Sequence, residues 1–105
     1  MLILIATNKV FAIEKTLSWT APATRIDGTK LELNEISGYD IEYNGKWFKF
    51  VKNTMEVVDV GPGKHCYKVR TVLVGGNVKS DYTPEQCVTI VSDAKPVIIS
   101  DLVVK

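Results

Sequence analysis

Ile36-Ser-Gly-Tyr-Asp-Ile-Glu-Tyr43, Asn44-Gly45 and Lys46-Trp-Phe-Lys-Phe-Val51 read as two strands and the turn that joins them. Tyr39, Ile41 and Tyr43 alternate with Asp40 and Glu42, the period-2 pattern of a strand with one buried face. Asn-Gly between two such runs is the favoured pair for a two-residue type I′ turn, because both positions need a positive φ. A turn of that length sets the register. Tyr43 should face Lys46, Glu42 should face Trp47, Ile41 should face Phe48 and Asp40 should face Lys49. Residues facing one another across a pair point to the same side of the sheet. With Tyr39 and Ile41 inside, Phe48 and Phe50 are expected inside. Trp47, Lys49 and Val51 are then expected outside, beside Asp40 and Glu42.

The same period extends in both directions from the hairpin. Upstream, Ile13 to Thr20 alternates, with Leu17 and Trp19 on one face, and Ala21-Pro22 ends the run. Ala23 to Glu35 is polar and contains the turn pair Asp27-Gly28, and its Ile26, Leu31 and Leu33 are expected to fold back over one end of the core. Downstream, Met55 to Val60 reads as a strand closed by Gly61-Pro62-Gly63. His65 to Val74 alternates Tyr67, Val69 and Thr71 against Cys66, Lys68 and Arg70. Gly75-Gly76-Asn77 turns the chain, and Tyr82 to Val91 returns. Leu2 to Ala6 and Pro96 to Val104 are strand-like as well. About seven short strands with turn signals between them, and no sustained helical period, predict an all-β fold of two packed antiparallel sheets, with possible extra strands at the termini.

A chain of 105 residues fits one domain. We expect a core over 13–91, an N-terminal strand or arm over 1–12 and a C-terminal strand or tail over 92–105. Composition is 46% hydrophobic and 24% charged, which suits a folded protein, and the formal net charge is +1. That balance lacks the basic excess of nucleic-acid and anionic-membrane binders. No run approaches the ~20 apolar residues of a membrane-spanning helix. Thr7, Asn8 and Lys9 interrupt the apolar start and no basic residue precedes it, so it reads as an unprocessed start rather than a signal peptide.

Leu17-Ser-Trp-Thr-Ala-Pro22, Ile36-Ser-Gly-Tyr-Asp-Ile-Glu-Tyr43, Gly61-Pro-Gly63 and Tyr67-Lys-Val-Arg-Thr-Val72 stand in a telling order. Their spacing resembles strands B and C, the E–F corner and strand F of fibronectin type III domains. The resemblance covers roughly Ile13 to Val91. It looks particularly like the bacterial and phage branch, where a Trp-Thr-Ala-Pro strand leads into an Asp-Gly-Thr loop and then an Ile-x-Gly-Tyr strand. It implies an immunoglobulin-like sandwich but says little about function, because such domains are widely reused. Two features depart from the family. His65 stands about where its members often place the tyrosine of the E–F corner, and the family usually lacks a disulfide.

Cys66 and Cys87 lie equidistant from the Gly76-Asn77 centre of their hairpin, so in an unbulged antiparallel pair they face each other. A facing non-hydrogen-bonded pair brings its Cα atoms to ~4.5 Å, within disulfide reach. A disulfide is expected, with two buried free thiols as the alternative. A metal centre needs more ligands than Cys66, Cys87 and nearby His65 supply. A disulfide places the working protein outside the reducing cytosol.

No catalytic constellation emerges. His65 is the single histidine, and strand neighbours such as His65 and Cys66 point to opposite faces. We therefore expect a non-enzymatic binding or structural module with no cofactor and no metal. Its candidate contact residues are Trp47, Lys49 and Val51 with Lys68 and Arg70, since Trp and Arg are enriched at binding hot spots. The apolar termini add Leu2, Ile3, Leu4, Val97, Ile98, Leu102 and Val103, which suit strand addition to a neighbour. The phage-like resemblance and these ends lead us to expect a virion structural subunit: a capsid decoration, collar or tail accessory protein contacting other subunits of a repeating assembly. The alternative is a secreted or cell-surface module for carbohydrate or adhesion, with Trp47 as its contact. A spacer domain of a larger extracellular enzyme is the third reading.

Overall fold

In the computed structural model, residues 12–91, 96 and 98–105 are described. Among them are six strands and one short 3-10 turn at Leu33–Glu35. The strands are β1 (Ile13–Ser18), β2 (Ile36–Tyr43), β3 (Lys46–Val51), β4 (Met55–Val60), β5 (Gly63–Leu73) and β6 (Gln86–Ile90). They form two antiparallel sheets. β1 pairs with β4, and the second sheet runs in the order β3-β2-β5-β6. Leu2, Ile3, Leu4 and the strand expected over 2–6 lie outside the described residues, as does Val97.

The β2–β3 hairpin turns as its sequence demands, with Asn44 at φ 48° and Gly45 at φ 87°. Tyr43 faces Lys46 and Glu42 faces Trp47, but a bulge then shifts the pairing. Ile41 faces Lys49, Asp40 faces Phe50 and Tyr39 faces Val51. In a bulge two residues oppose one, so every later side chain changes face. The expected register is therefore wrong beyond Trp47. Val51 turns inward and packs on the core. Phe50, expected inside, lies on the outer face above Gly38. A Cβ on Gly38 would overlap the Phe50 ring and sit 2.5 Å from the Val51 carbonyl oxygen. Phe48 remains beside Tyr43 (ring centroids 5.9 Å apart) but is half exposed at the sheet margin.

Between the sheets lie Ile41, Val58, Val60, Tyr67 and Ile90, flanked by Ile13, Leu17, Trp19, Tyr43, Val51, Val69 and Val88. Trp19 meets Tyr39 edge-to-face at 5.5 Å, an arrangement that aligns the positive ring edge with a negative face. The indole nitrogen of Trp19 is shielded from solvent yet has no hydrogen-bond partner among the described residues. Among the described residues the two sheets do not close on each other. Clefts remain on both flanks, one between β1 and the β5–β6 side and one between β3 and β4.

The connections correct two further expectations. Asp27 accepts from the Thr29 amide and hydroxyl, Gly28 takes φ 88°, and Thr24 bridges Lys30. This stiff tip projects outward, so Ile26 and Leu33 are exposed and only Leu31 is buried. After the Gly75-Gly76 turn the chain follows β5 without forming a regular strand. The Ser80 amide donates to Thr71 O and the Thr83 amide to Val69 O, both at 2.9 Å. Pro84 has no amide to continue that ladder, and β6 starts at Gln86 rather than near Tyr82. The described part of the expected C-terminal strand, residues 96 and 98–105, is not a strand. Its Ile98, Ile99, Leu102, Val103 and Val104 are exposed.

Candidate functional site

Asp40 organises the outer face of the four-stranded sheet. β2 carries it outward between the buried Tyr39 and Ile41, and it is itself only 5% exposed. A carboxylate shielded this far must be paired. The Arg70 Nε–H of β5 donates to its Oδ2 at 2.9 Å, and the Lys79 ammonium lies 3.7 Å from the same oxygen. The Trp47 indole N–H of β3 donates to Oδ1 at 3.1 Å. Burial pushes the Asp40 carboxyl up. The donors from Trp47 and Arg70 and the charges of Arg70 and Lys79 outweigh it and hold its pKa below the ordinary value. Farther along, Glu42 pairs with Lys68 at 3.7 Å, and the Arg70 guanidinium stacks over the Tyr82 ring at 4.6 Å.

Trp47 is therefore an anchored aromatic. Its nitrogen is tied to Asp40 while 60% of the residue stays exposed. The bond limits the indole's rotamers, so a partner laid on it would lose little further side-chain entropy. Phe50 adds a second partly exposed ring to the same face.

The structure brings Trp47, Lys68 and Arg70 together on this face as expected. It removes the other two members of that set. The bulge aims Lys49 across the open flank to Glu56 of β4, with Nζ–Oε2 at 2.6 Å, and puts Val51 in the core. Lys49 thus pairs with Glu56 and not with the Asp40–Glu42 row. Sequence reasoning missed Asp40 as the hub, and Phe50, Lys79 and Tyr82 as its neighbours. Asp40 carried a signal: an acid between two buried apolar residues, opposite an arginine on the adjoining strand. Ile98, Leu102 and Val103 are exposed.

At one end of the face Cys66 and Cys87 pair directly and are joined by a disulfide, with Cα atoms 4.0 Å apart. Asn44 locks the hairpin turn onto this clip. Its side-chain oxygen accepts from the Cys66 amide at 2.9 Å, and its own amide donates to Cys66 O at 2.8 Å. The Glu85 carboxylate lies near both sulfurs. Bonded to each other, the sulfurs have no thiolate to offer a metal. His65 sits at the β4–β5 corner, near the start of β5. The Gly61 carbonyl can only accept, so His65 Nε2 donates to it, at 2.7 Å. His65 Nδ1 then accepts from the Tyr43 hydroxyl, also at 2.7 Å. His65 and Tyr43 stack with centroids 5.8 Å apart. This histidine holds a corner and faces away from the Trp47 surface. No helix among the described residues is long and apolar enough to cross a membrane. Comparison of the chain with protein-family models, curated proteins and solved structures finds no match.

Proposed function

We propose that this chain is a non-enzymatic, fibronectin type III-like module that works by protein–protein contact, as a structural subunit of a repeating assembly such as a phage particle. The sheet order β3-β2-β5-β6 opposite β1-β4 supports the family reading, since it corresponds to the family's C′-C-F-G and B-E strands. The disulfide favours a working place outside the reducing cytosol, on a virion or in extracellular surroundings. The observation that carries the binding role is Trp47: a large exposed indole held by a buried carboxylate, within a field of satisfied ion pairs. Such a surface presents a rigid aromatic anchor with a polar rim, the make-up of a contact hot spot.

Oxidative footprinting tests this. Trp47 should be modified readily in the isolated chain and protected in the native assembly, and Trp47→Ala should fold but fail to incorporate. Equal modification in both states, with normal incorporation of Trp47→Ala, would remove the proposed contact. One observation also favours the carbohydrate or adhesion reading, because a fixed exposed indole beside polar side chains suits stacking on a sugar ring. That reading predicts saturable quenching of Trp47 fluorescence by neutral oligosaccharides, lost in Trp47→Ala.

A further inference from the structure

The turn that presents Trp47 carries a reactive dipeptide. Of the chain's five asparagines, Asn44 alone precedes a glycine. Glycine has no side chain to shield its amide, so the Gly45 nitrogen can reach the side chain before it. Both residues are exposed to water. The reaction needs no other partner. The Gly45 nitrogen attacks Asn44 Cγ, and the new N–Cγ bond closes a cyclic imide. The Cγ–Nδ2 bond breaks, and the amide nitrogen leaves as ammonia with the proton that Gly45 gives up. Water then opens the imide. Addition at the side-chain carbonyl leaves an aspartate. Addition at the main-chain carbonyl leaves an isoaspartate, in which the chain runs through the former side chain.

The fold holds this site shut through one residue. The Asn44 side-chain oxygen accepts from the Cys66 amide at 2.9 Å, and the Asn44 amide donates to Cys66 O at 2.8 Å. Closing the imide requires Asn44 Cγ to swing onto the Gly45 nitrogen, and that swing breaks the bond to the Cys66 amide. Cys66 is in turn joined to Cys87. β5 pairs with β2 only from Tyr67 onward, opposite Tyr43. Before Tyr67, the main-chain partners of β5 among the described residues are β6 and Asn44. The end of a ladder opens locally at lower cost than its middle. The disulfide sits at that end, on the residue that holds Asn44, and ties it to β6.

We propose that Asn44 is the deamidation site of this protein and that the Cys66–Cys87 disulfide keeps it closed. In the oxidised chain the Asn44 side chain stays on Cys66. Loss of the clip frees Cys66 and, with it, the Asn44 side chain. The two products then differ. An aspartate keeps an oxygen for the Cys66 amide and adds a negative charge. An isoaspartate lengthens the main chain, and a two-residue turn no longer matches its strands. Trp47 then loses the placement that the turn gives it.

The test follows Asn44 by peptide mass mapping in the full chain at mildly alkaline pH. Three samples are compared: the oxidised chain, the chain in denaturant, and the chain reduced with a phosphine, which becomes its oxide as the disulfide takes up two electrons and two protons. The reduced chain should convert Asn44 to the acid about tenfold faster than the oxidised chain, and the denatured chain faster still. A second measurement does not need the reduced chain to stay folded. In the oxidised chain, low concentrations of denaturant should raise Asn44 deamidation and Cys66 amide exchange in parallel. The isoaspartate product, separated by chromatography, should show a displaced Trp47 indole signal. Deamidation of Asn44 as fast in the folded oxidised chain as in denaturant overturns the proposal. So does a reduced chain that is folded by near-ultraviolet circular dichroism yet deamidates no faster than the oxidised one. Asn44 deamidation that fails to track Cys66 exchange also overturns it, as does earlier deamidation at Asn34, Asn53 or Asn77. An unmoved Trp47 signal in the isoaspartate product overturns the link to Trp47.

Discussion

Replacing Asp40 tests the arrangement on which the proposed contact face depends. The carboxylate accepts from the Trp47 indole and the Arg70 guanidinium and pairs with Lys79. Hydrogen bonds to a charged group contribute ~1.5–3 kcal/mol each. The Arg70 and Lys79 side chains are 26% and 40% exposed, and Trp47 is also open to water, so solvent takes over part of what the carboxylate supplied. Burying the carboxylate carries its own desolvation penalty, which the substitution removes. Asp40→Ala should therefore destabilise by about 2 kcal/mol in denaturant unfolding. Asp40→Asn keeps an acceptor for Trp47 and loses only the charge, so about 1 kcal/mol is expected. A cycle with Arg70→Ala should show coupling of about 1 kcal/mol for Asp40→Ala. The Trp47 indole resonance, identified by its absence in Trp47→Phe, should broaden or move toward a solvent-exposed position in Asp40→Ala and much less in Asp40→Asn. The sign of the pH dependence follows from the depressed folded pKa. The charge contribution is present above the ordinary carboxylate value of 3.8 and is lost as pH falls through the folded value. The gap between wild type and Asp40→Asn should therefore close in acid. A loss below ~0.5 kcal/mol for Asp40→Ala with an unmoved Trp47 signal would refute the hub, as would zero coupling to Arg70.

Three other perturbations follow from the same geometry. Reducing the Cys66–Cys87 bond reopens a loop with sequence separation 21. On the chain-entropy relation that lowers stability by about 3 kcal/mol, read from denaturant midpoints with and without reductant; a loss below ~1 kcal/mol contradicts it. Gly38→Ala should lose about 1–3 kcal/mol through the clash with the Phe50 ring and the Val51 carbonyl. Adding Phe50→Leu should recover only part of this, because the backbone contact remains. Burial raises the pKa of the Tyr39 and Tyr67 phenols above 10.0. A raised folded pKa means stability present below the unfolded value and lost as pH climbs through the folded one. Unfolding free energy should fall on the alkaline side, and Tyr39→Phe should flatten that fall; stability constant across that range argues against phenol burial.

Local chemistry made the turns legible. Asn44 and Gly45 need only their own backbone preferences to take positive φ, and that alone commits the flanking residues to a hairpin. The Cys66–Cys87 pairing was readable because counting outward from the Gly76-Asn77 turn remains valid while the two segments track each other. They do so here even though residues 78–83 form no regular strand, because the Ser80 and Thr83 amides keep them beside β5. Burial in the loop before β2 was not readable. Ile26, Leu31 and Leu33 are equally apolar, but a stiff Asp27–Thr29 turn and a 3-10 turn decide which of them reaches the core, and only Leu31 does. The role of Asp40 was hidden for a related reason. Its partners come from two other strands and from Lys79 beyond a turn, and the sequence separates them by as many as 39 positions (Asp40 to Lys79).

The bulge in β3 shows where counting stops. Trp47 lies next to the turn, before the register shifts, so its outward placement needed only the turn. Lys49 and Val51 lie beyond the shift, so the same reasoning put both on the wrong side. The choice between a regular and a bulged strand is made by the core. With Trp19, Tyr39, Tyr43 and Tyr67 already on the interior side, the shift places the smaller Val51 against them and sends Phe50 to the outer face. There Gly38, which has no Cβ, leaves room for the ring. Gly38 in β2 is thus the sequence counterpart of the bulge in β3, visible only when the two strands are read together. The exchange also alters the proposed contact surface. Its second hydrophobic element beside Trp47 is Phe50 rather than Val51, and its cations are Lys68, Arg70 and Lys79 rather than Lys49.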